Sequence, residues 1–351
     1  ARELARRFEE RGHRAEIVDF LDAFPHVLSR SWRWFYLFQL RRFPESYESS
    51  YQLFYRHPKL WEPFVRFERA LAGRRTLRWM AQYEPDVIVS TYSFATLVIG
   101  RLKQEHRITV PAVNFLTDFG VHPRAVHPSM ELNLAVHPEA AEAARRFVTT
   151  PVIPTGPAIS PAITFDAPSR EDARAELGID PSARVVLVVS GSWGVGSDFE
   201  RTVAALAGMG DTIVFTMCGS DEALRKRLEE HGLGTPLGWT DRMASYLSAA
   251  DVVVENAGGL TANECFARGV PIVSYRAIPG HGRDNVSVMR RAGVTTVPLD
   301  DAGLVEAVRV LSADTPERRE QVARAAAMFV EDPVERILQL VAECSPPGTL
   351  R

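Results

Sequence analysis

Cysteine is scarce in this chain: Cys218, Cys265 and Cys344 are its three, far apart and without metal-ligand or redox spacing. That usage excludes a disulfide scaffold and favours a reducing, cytosolic compartment. Long apolar runs are also missing, and none approaches the ~20 residues a spanning helix needs. Neither sign of charge prevails. The net charge is −3, so the overall balance gives no reason to expect nucleic acid as a partner. No Asp-x-Asp follows a strand in the second half, so no obligatory metal is expected; nor is a cofactor expected to be required. There is no internal repeat. The chain opens on Ala1-Arg-Glu-Leu without a methionine, and no apolar run follows those charges, so the opening is not a signal peptide. It reads as the middle of an amphipathic helix with Leu4 and Phe8 on one face, leading past Gly12 to a strand over 15–20. A strand and turn normally precede such a helix, and they are expected upstream of Ala1.

What is present is an alternation of strands and helices. A length of 351 residues, 46% of them hydrophobic and 24% charged, suits a soluble chain of two domains, each with its own core. The first half predicts strands at 86–90, 112–116 and 133–136, with helices at 94–107 and 138–147. Pro151, Pro154, Gly156, Pro157, Pro161 and Pro168 then mark a linker. Beyond it come a helix over 169–177 capped by Ser169 and strands at 184–189, 212–217, 235–237, 252–254, 271–274 and 295–298. The tail from 316 to 342 reads as helical. Such alternation implies an α/β fold of two Rossmann-like domains, with parallel sheets facing across a cleft and ligands at the carboxyl ends of strands. The boundaries fall at 1–155 and 156–324, with 325–345 a C-terminal helix packing back on the first domain.

One segment breaks the alternation. Between Trp32 and Trp79 lie four of the six tryptophans, so the bias is local. Phe35, Tyr36, Phe38, Phe43, Tyr47, Tyr51, Phe54, Tyr55, Phe64 and Phe67 accompany them, interleaved with arginines from Arg30 to Arg78. Tryptophan and tyrosine favour the headgroup layer of a bilayer, and arginine attracts anionic lipid. Segment 30–79 therefore reads as a membrane-facing surface, although a pair of core helices with solvated arginines has the same composition.

Four turns share one position, the carboxyl end of a predicted strand. Ser190 is followed by Gly191, Ser192, Trp193 and Gly194, a glycine loop whose amides suit phosphate, as those of many βα turns do. Gly238-Trp239 offers a backbone edge and an aromatic face to a flat base, or makes a simple core turn. Asn256 to Glu264 joins a Gly258-Gly259 turn to a helix start at Thr261, an anion site with Glu264 within reach of sugar hydroxyls. Pro279, Gly280, His281, Asp284 and Asn285 form a polar loop that suits sugar hydroxyls or is a surface turn. Their convergence on one edge supports a ligand site, and a nucleotide diphosphate-sugar fits it.

The run from Gly238 to Asn285, with Met243, Asp251, Gly258-Gly259-Leu260-Thr261, Glu264, Gly269-Val270-Pro271 and Pro279-Gly280, resembles the monogalactosyldiacylglycerol synthase and processive diacylglycerol glucosyltransferase group. More distantly it is similar to MurG-type GT-B glycosyltransferases. Thr117-Asp118-Phe119, His122-Pro123 and His127 extend the likeness, which spans from about Glu84 to the end of the second domain. The resemblance implies that Gly258, Gly259 and Thr261 hold a diphosphate, that Glu264 holds ribose hydroxyls and that Gly238-Trp239 edges a uracil. It implies that His281, Asp284 and Asn285 face the donor sugar, with Asn256, Leu260, Pro279 and Gly280 in the same donor set. Three departures stand out: Trp193 where a small or acidic residue is usual, His281-Gly282 in place of Gln-Glu, and a Gly-x-Gly-His segment that would precede Ala1.

The implied activity is inverting transfer of a hexose from a UDP-sugar to a lipid or other hydrophobic acceptor. Asp118, His122 and His127 are the candidates for base or base-orienter. The expected location is cytoplasmic, on the inner face of the plasma membrane against anionic lipid. A UDP-sugar 2-epimerase shares the architecture, and a non-catalytic UDP-sugar-binding remnant would keep the same nucleotide half.

Overall fold

The computed structural model describes residues 1–190 and 198–344. They form two compact units, Ile159–Ala327 and a discontinuous one made of Ala1–Ala158 together with the segment from Met328 onward.

The discontinuous unit holds a parallel sheet in the order β1-β2-β3-β4, with β1 at Ile88–Ser90, β2 at Ala112–Leu116, β3 at Leu132–Ala135 and β4 at Val152–Pro154. Every residue of β2 and β3 is buried, as helices on both faces of a parallel sheet require. Strand β4 lies inside the stretch read as linker. As an edge strand it tolerates Pro154, whose missing N–H no neighbour needs. The strand expected over 15–20 does not form. No ladder partner reaches it among the described residues, Ile17 and Val18 stay exposed, and the chain turns instead into a 3₁₀ helix at Phe20–Ala23 capped by Asp19.

The aromatic segment is helical: His26–Arg42, Pro44–Arg56 and Glu62–Tyr83. Pro44 and Pro63 sit in the first turns of their helices, where no N–H is missed. Ala72 and Trp79 of the third helix pack against Val98 and Leu102 of the helix Ser93–Gln104. Trp32 turns inward onto Phe24 and Phe94. Trp34, Phe35, Phe38, Phe43, Phe64 and Phe67 are exposed.

The chain returns to this unit after the other is complete. The tail breaks before Pro333, giving helices Pro316–Ala326 and Pro333–Cys344. Val330 N–H donates to Thr155 O at 3.2 Å, and a Cβ on Gly156 (φ +96°) would lie 2.5 Å from Met328 O, so glycine is needed at this crossing. Arg11 then pairs with Asp332 at 2.8 Å and Glu335 at 2.7 Å, tying the last helix to the first, Arg2–Glu10.

In the contiguous unit the strands β5 (Arg184–Val189), β6 (Thr212–Met217), β7 (Thr235–Leu237), β8 (Val252–Glu255) and β9 (Ile272–Ser274) lie parallel in the order β7-β6-β5-β8-β9. The stretch at 295–298 contributes only a bridge from Thr296 to Val273. Asp251 anchors the start of β8, accepting from Val185 N at 2.8 Å and Arg174 Nη2 at 3.0 Å. The strand order reverses between β5 and β8, and ligands in such sheets settle at that switch point. Val188, Val189, Val254, Glu255, Asn256 and Arg276 line a crevice there.

Candidate functional site

The turn after β8 is built by a residue that the sequence reading passed over. Glu255 ends the strand fully enclosed, and its Oε2 accepts from Ala257 N at 2.8 Å and from Gly258 N, while Oε1 accepts from Ser274 Oγ. Burial raises its pKa against those bonds. The signal was a carboxylate closing the apolar run Val252-Val253-Val254 directly before a glycine turn. Gly258 takes φ +64°, and a Cβ there would meet Met289 Sδ at 2.6 Å and Asn285 Cβ at 2.8 Å. Around Gly259, by contrast, a Cβ would find nothing within 4 Å.

The helix Leu260–Arg268 starts from Gly259 without a side-chain cap, so its first amides and the positive end of its dipole lie open to an anion. Leu260 is exposed beside that start. Glu264 stands one turn along, half-buried. Among the described residues nothing hydrogen-bonds its carboxylate, and burial alone lifts its pKa to about 7. A carboxylate half-withdrawn from water with no hydrogen-bond partner among the described residues can accept bonds from a ligand.

The loop 279–285 is brought against this turn. Ile278 N–H donates to Asn256 O at 2.9 Å, and Asn285 Nδ2 donates to Ala257 O at 3.0 Å. Gly280 (φ +68°) starts a second uncapped helix, His281–Ala292, on which His281 and Asp284 are half-buried. Asn285 differs from the expectation. It is 1% exposed, and its amide donates to the neighbouring turn. Gly238 and Trp239 follow β7, with Trp239 76% exposed and its face available to a flat ring. Ser190 donates to Met217 O at 2.9 Å, and Gly191, Ser192, Trp193 and Gly194 lie outside the described residues.

In the discontinuous unit, Asp118, His122 and His127 fall on the loops between β2 and β3. His122 Nδ1 accepts from Arg124 N and His127 Nδ1 from Ser129 N, both at 3.1 Å, and His137 does the same with Glu139 N at 3.0 Å. All three precede a proline, a repeated His-Pro turn. Burial pushes His122 and His127 down to about 4. Each is therefore neutral at pH 7, with its one lone-pair nitrogen occupied by an amide. In this structure each imidazole accepts an amide of its own turn, a loop-shaping bond.

Arg124 holds the same loop through a pair that the sequence did not reveal. Its Nη2 lies 2.7 Å from Oε1 of the wholly buried Glu68, and its guanidinium stacks over Trp61 at 3.8 Å and Phe94 at 4.8 Å. Among the described residues no group of three or more His, Cys, Asp or Glu could hold a metal ion.

Known proteins bear on this geometry. Residues 1–159 match the family model described as monogalactosyldiacylglycerol (MGDG) synthase. Processive diacylglycerol beta-glucosyltransferases are similar along most of the chain. That of Bacillus thuringiensis is 23% identical, covering 84% of this chain and 77% of its own, and that of Bacillus licheniformis is 24% identical, covering 78% and 73%. MurG of Acinetobacter baumannii superposes with a TM-score of 0.54 at 17% identity over 78% of this chain and 77% of its own. SnogD of Streptomyces nogalater gives 0.54 at 20% over 80% and 78%. The chain has the GT-B fold.

Within that fold the two glycines of the β8 turn separate structure from binding. Gly258→Ala is expected to destabilise the protein by about 2 kcal/mol or more, because positive φ and a Cβ clash coincide. Gly259→Ala is expected to leave the melting temperature unchanged and to weaken binding of a nucleoside diphosphate about tenfold or more, its methyl group occupying the approach to the helix amides. Thermal unfolding and calorimetry measure the two. Equal binding by Gly259→Ala and wild type would remove the diphosphate from this turn.

Proposed function

We propose that this glycosyltransferase moves a hexose from a UDP-sugar to a diacylglycerol-like lipid with inversion at the anomeric carbon. The observation that carries the reading is Glu264, half-buried and without a hydrogen-bond partner among the described residues, one turn beyond an uncapped helix start. The helix amides suit the diphosphate, Glu264 the ribose hydroxyls and Trp239 the base. A structural neighbour, HepE of Anabaena, was crystallised with UDP-glucose (TM-score 0.50, 18% identical, covering 78% of this chain and 81% of its own), which supports that donor class. The names of the Bacillus relatives support a diacylglycerol acceptor.

In the reaction the acceptor oxygen bonds to the anomeric carbon as the bond from that carbon to the diphosphate breaks. The acceptor proton passes to Asp118, and UDP departs with its charge offset by the amides at Gly259 to Thr261.

No helix among the described residues is long and apolar enough to cross a membrane. The lipid is reached instead by peripheral contact, through the exposed Trp34, Phe35, Phe38, Phe43, Phe64 and Phe67 among exposed arginines.

The test offers UDP-glucose and UDP-galactose with vesicles of phosphatidylglycerol and diacylglycerol. Expected are lipid-dependent release of UDP, a β-linked glycolipid, and a tenfold or larger loss of vesicle co-sedimentation in a Trp34→Ser, Phe35→Ser variant (about 1.5–3 kcal/mol for each side chain removed from water). Sugar isomerisation without lipid would make the chain an epimerase, and binding without turnover would make it a remnant.

A further inference from the structure

The helices His26–Arg42 and Pro44–Arg56 make a hairpin that turns at Phe43, and the helix Glu62–Tyr83 follows it. Each carries exposed apolar side chains, Trp34 on the first, Leu53 on the second and Phe64 on the third. All three also reach a single side chain of the loop that holds Asp118. That side chain is Arg124. Its guanidinium is 12% exposed and lies over the rings of Trp61 and Phe94, at 3.8 and 4.8 Å. Its Nη2 bonds both carboxylate oxygens of Glu68, at 2.7 and 2.9 Å, and Glu68 belongs to the third helix. The second helix reaches Arg124 through Phe54, whose ring is 3.8 Å from that of Trp61. The first reaches it through Trp32, 5.2 Å from Phe94. Phe64, 46% exposed, stands 5.2 Å from the same Trp61.

On its other side Arg124 belongs to a turn with bonds of its own. Its N–H donates to His122 Nδ1 at 3.1 Å, and Ala125 N–H donates to His122 O at 2.8 Å. Asn114 Nδ2 of β2 donates to Ala125 O at 2.7 Å, which fixes the turn to the sheet. Tyr51 and Tyr55 of the second helix lie 4.8 and 5.5 Å from the ring of His122. A buried ion pair contributes little net stability, because both charges lose water. A flat guanidinium held at one nitrogen by a carboxylate and on its face by a ring is, however, fixed in direction.

We propose that Arg124 is a positioning residue that couples the aromatic helices to the loop of Asp118, so that contact with a bilayer orders that loop. When Phe64 and the other exposed side chains enter the headgroup layer, the helices lose freedom, and Trp61 and Glu68 lose it with them. Arg124 passes this loss to the turn at 122–125. A loop already ordered by the bilayer loses less entropy when an acceptor arrives, which is positive coupling without a change of shape. The coupling rests on the peripheral membrane contact proposed above. Its consequence for turnover, fastest reaction at the surface where the lipid lies, rests also on the transferase reading.

The test is amide hydrogen exchange with and without vesicles of phosphatidylglycerol and diacylglycerol, in the absence of sugar nucleotide. In wild type, vesicles are expected to slow exchange at Arg124 and Ala125 about tenfold, the scale of one charge-assisted hydrogen bond. Arg124→Lys keeps a cation for Glu68 and loses the flat face that meets Trp61 and Phe94. It is expected to co-sediment with vesicles as wild type does, with the slowing at Arg124 and Ala125 lost. Should Arg124→Lys not fold, Trp61→Leu, which leaves the ion pair in place, is read with the same expectation. With UDP-glucose supplied, the variant should lose the stimulation of kcat by vesicles at an unchanged KM for UDP-glucose. Vesicle binding by wild type without slowing in this turn, or slowing that survives in full in the variant, overturns the coupling. Absence of vesicle binding removes the peripheral contact and the coupling together. Slowing that depends on Arg124 in a protein that transfers no sugar keeps the coupling and removes the transferase reading.

Discussion

Glu264→Gln is expected to weaken UDP-glucose binding about 10²-fold while raising the melting temperature of the ligand-free protein at pH 8 by several degrees. The two effects share one cause. Burial without a partner moves the Glu264 carboxyl from its ordinary 4.5 up to about 7. A carboxyl raised in the folded state stabilises the fold fully below its unfolded pKa and loses that contribution as pH rises through 7. At pH 8 the ionised group costs on the order of 3 kcal/mol, which glutamine does not incur. Hydrogen bonds from two ribose hydroxyls to an ionised carboxylate contribute about 1.5–3 kcal/mol each, and glutamine forfeits most of this.

Binding of UDP-glucose should consequently weaken about tenfold between pH 8 and pH 6 in wild type, as the free carboxyl takes up its proton. In Glu264→Gln that slope should vanish. Calorimetry across this range decides the matter, and an affinity that does not differ from wild type would move the ribose elsewhere.

Asp118→Asn is expected to lower kcat about 10³-fold with the affinity for UDP-glucose unchanged. Proton transfer by a placed side chain contributes about 10²–10⁴ to a rate, and asparagine keeps the size of the group without its basicity. Replacing His122 or His127 should act differently, because each imidazole accepts an amide N–H within its own turn. Loss of that bond appears as lowered stability. Single-turnover measurements on Asp118→Asn distinguish chemistry from binding, and a rate within a fewfold of wild type would exclude the carboxylate as base.

Much of the second unit was legible because its signals are local. A buried parallel strand such as Val185 to Val189 is a continuous apolar run, and a glycine pair followed by a helix states its own turn. Strand β4 was hidden because Val152-Ile153-Pro154 looks like punctuation, and only its place at the sheet edge makes Pro154 tolerable. The stretch at 15–20 misled in the opposite way, since its composition suits a strand but nothing pairs with it.

Long-range side-chain contacts were beyond reach. Glu255 and Ser274 stand far apart in sequence, as do Glu68 and Arg124, and neither pairing has a periodic signature. Asn285 was expected to face the donor sugar, and its amide turns toward Ala257. For the candidate site, then, residue types and turns were readable, while the direction of each side chain was not.

The return of the chain through Gly156 and Met328 has a consequence for biogenesis. Ile159–Ala327 is an uninterrupted stretch, whereas the unit that carries Asp118 and the aromatic hairpin is closed only by the helix Pro333–Cys344. During synthesis from the ribosome, the contiguous unit is complete in sequence before the discontinuous one can be. The exposed aromatic hairpin therefore waits in an unfinished unit for the whole time the other half takes to emerge. A nascent chain in that interval has its exposed aromatic side chains available while the helix Pro333–Cys344 is still to come.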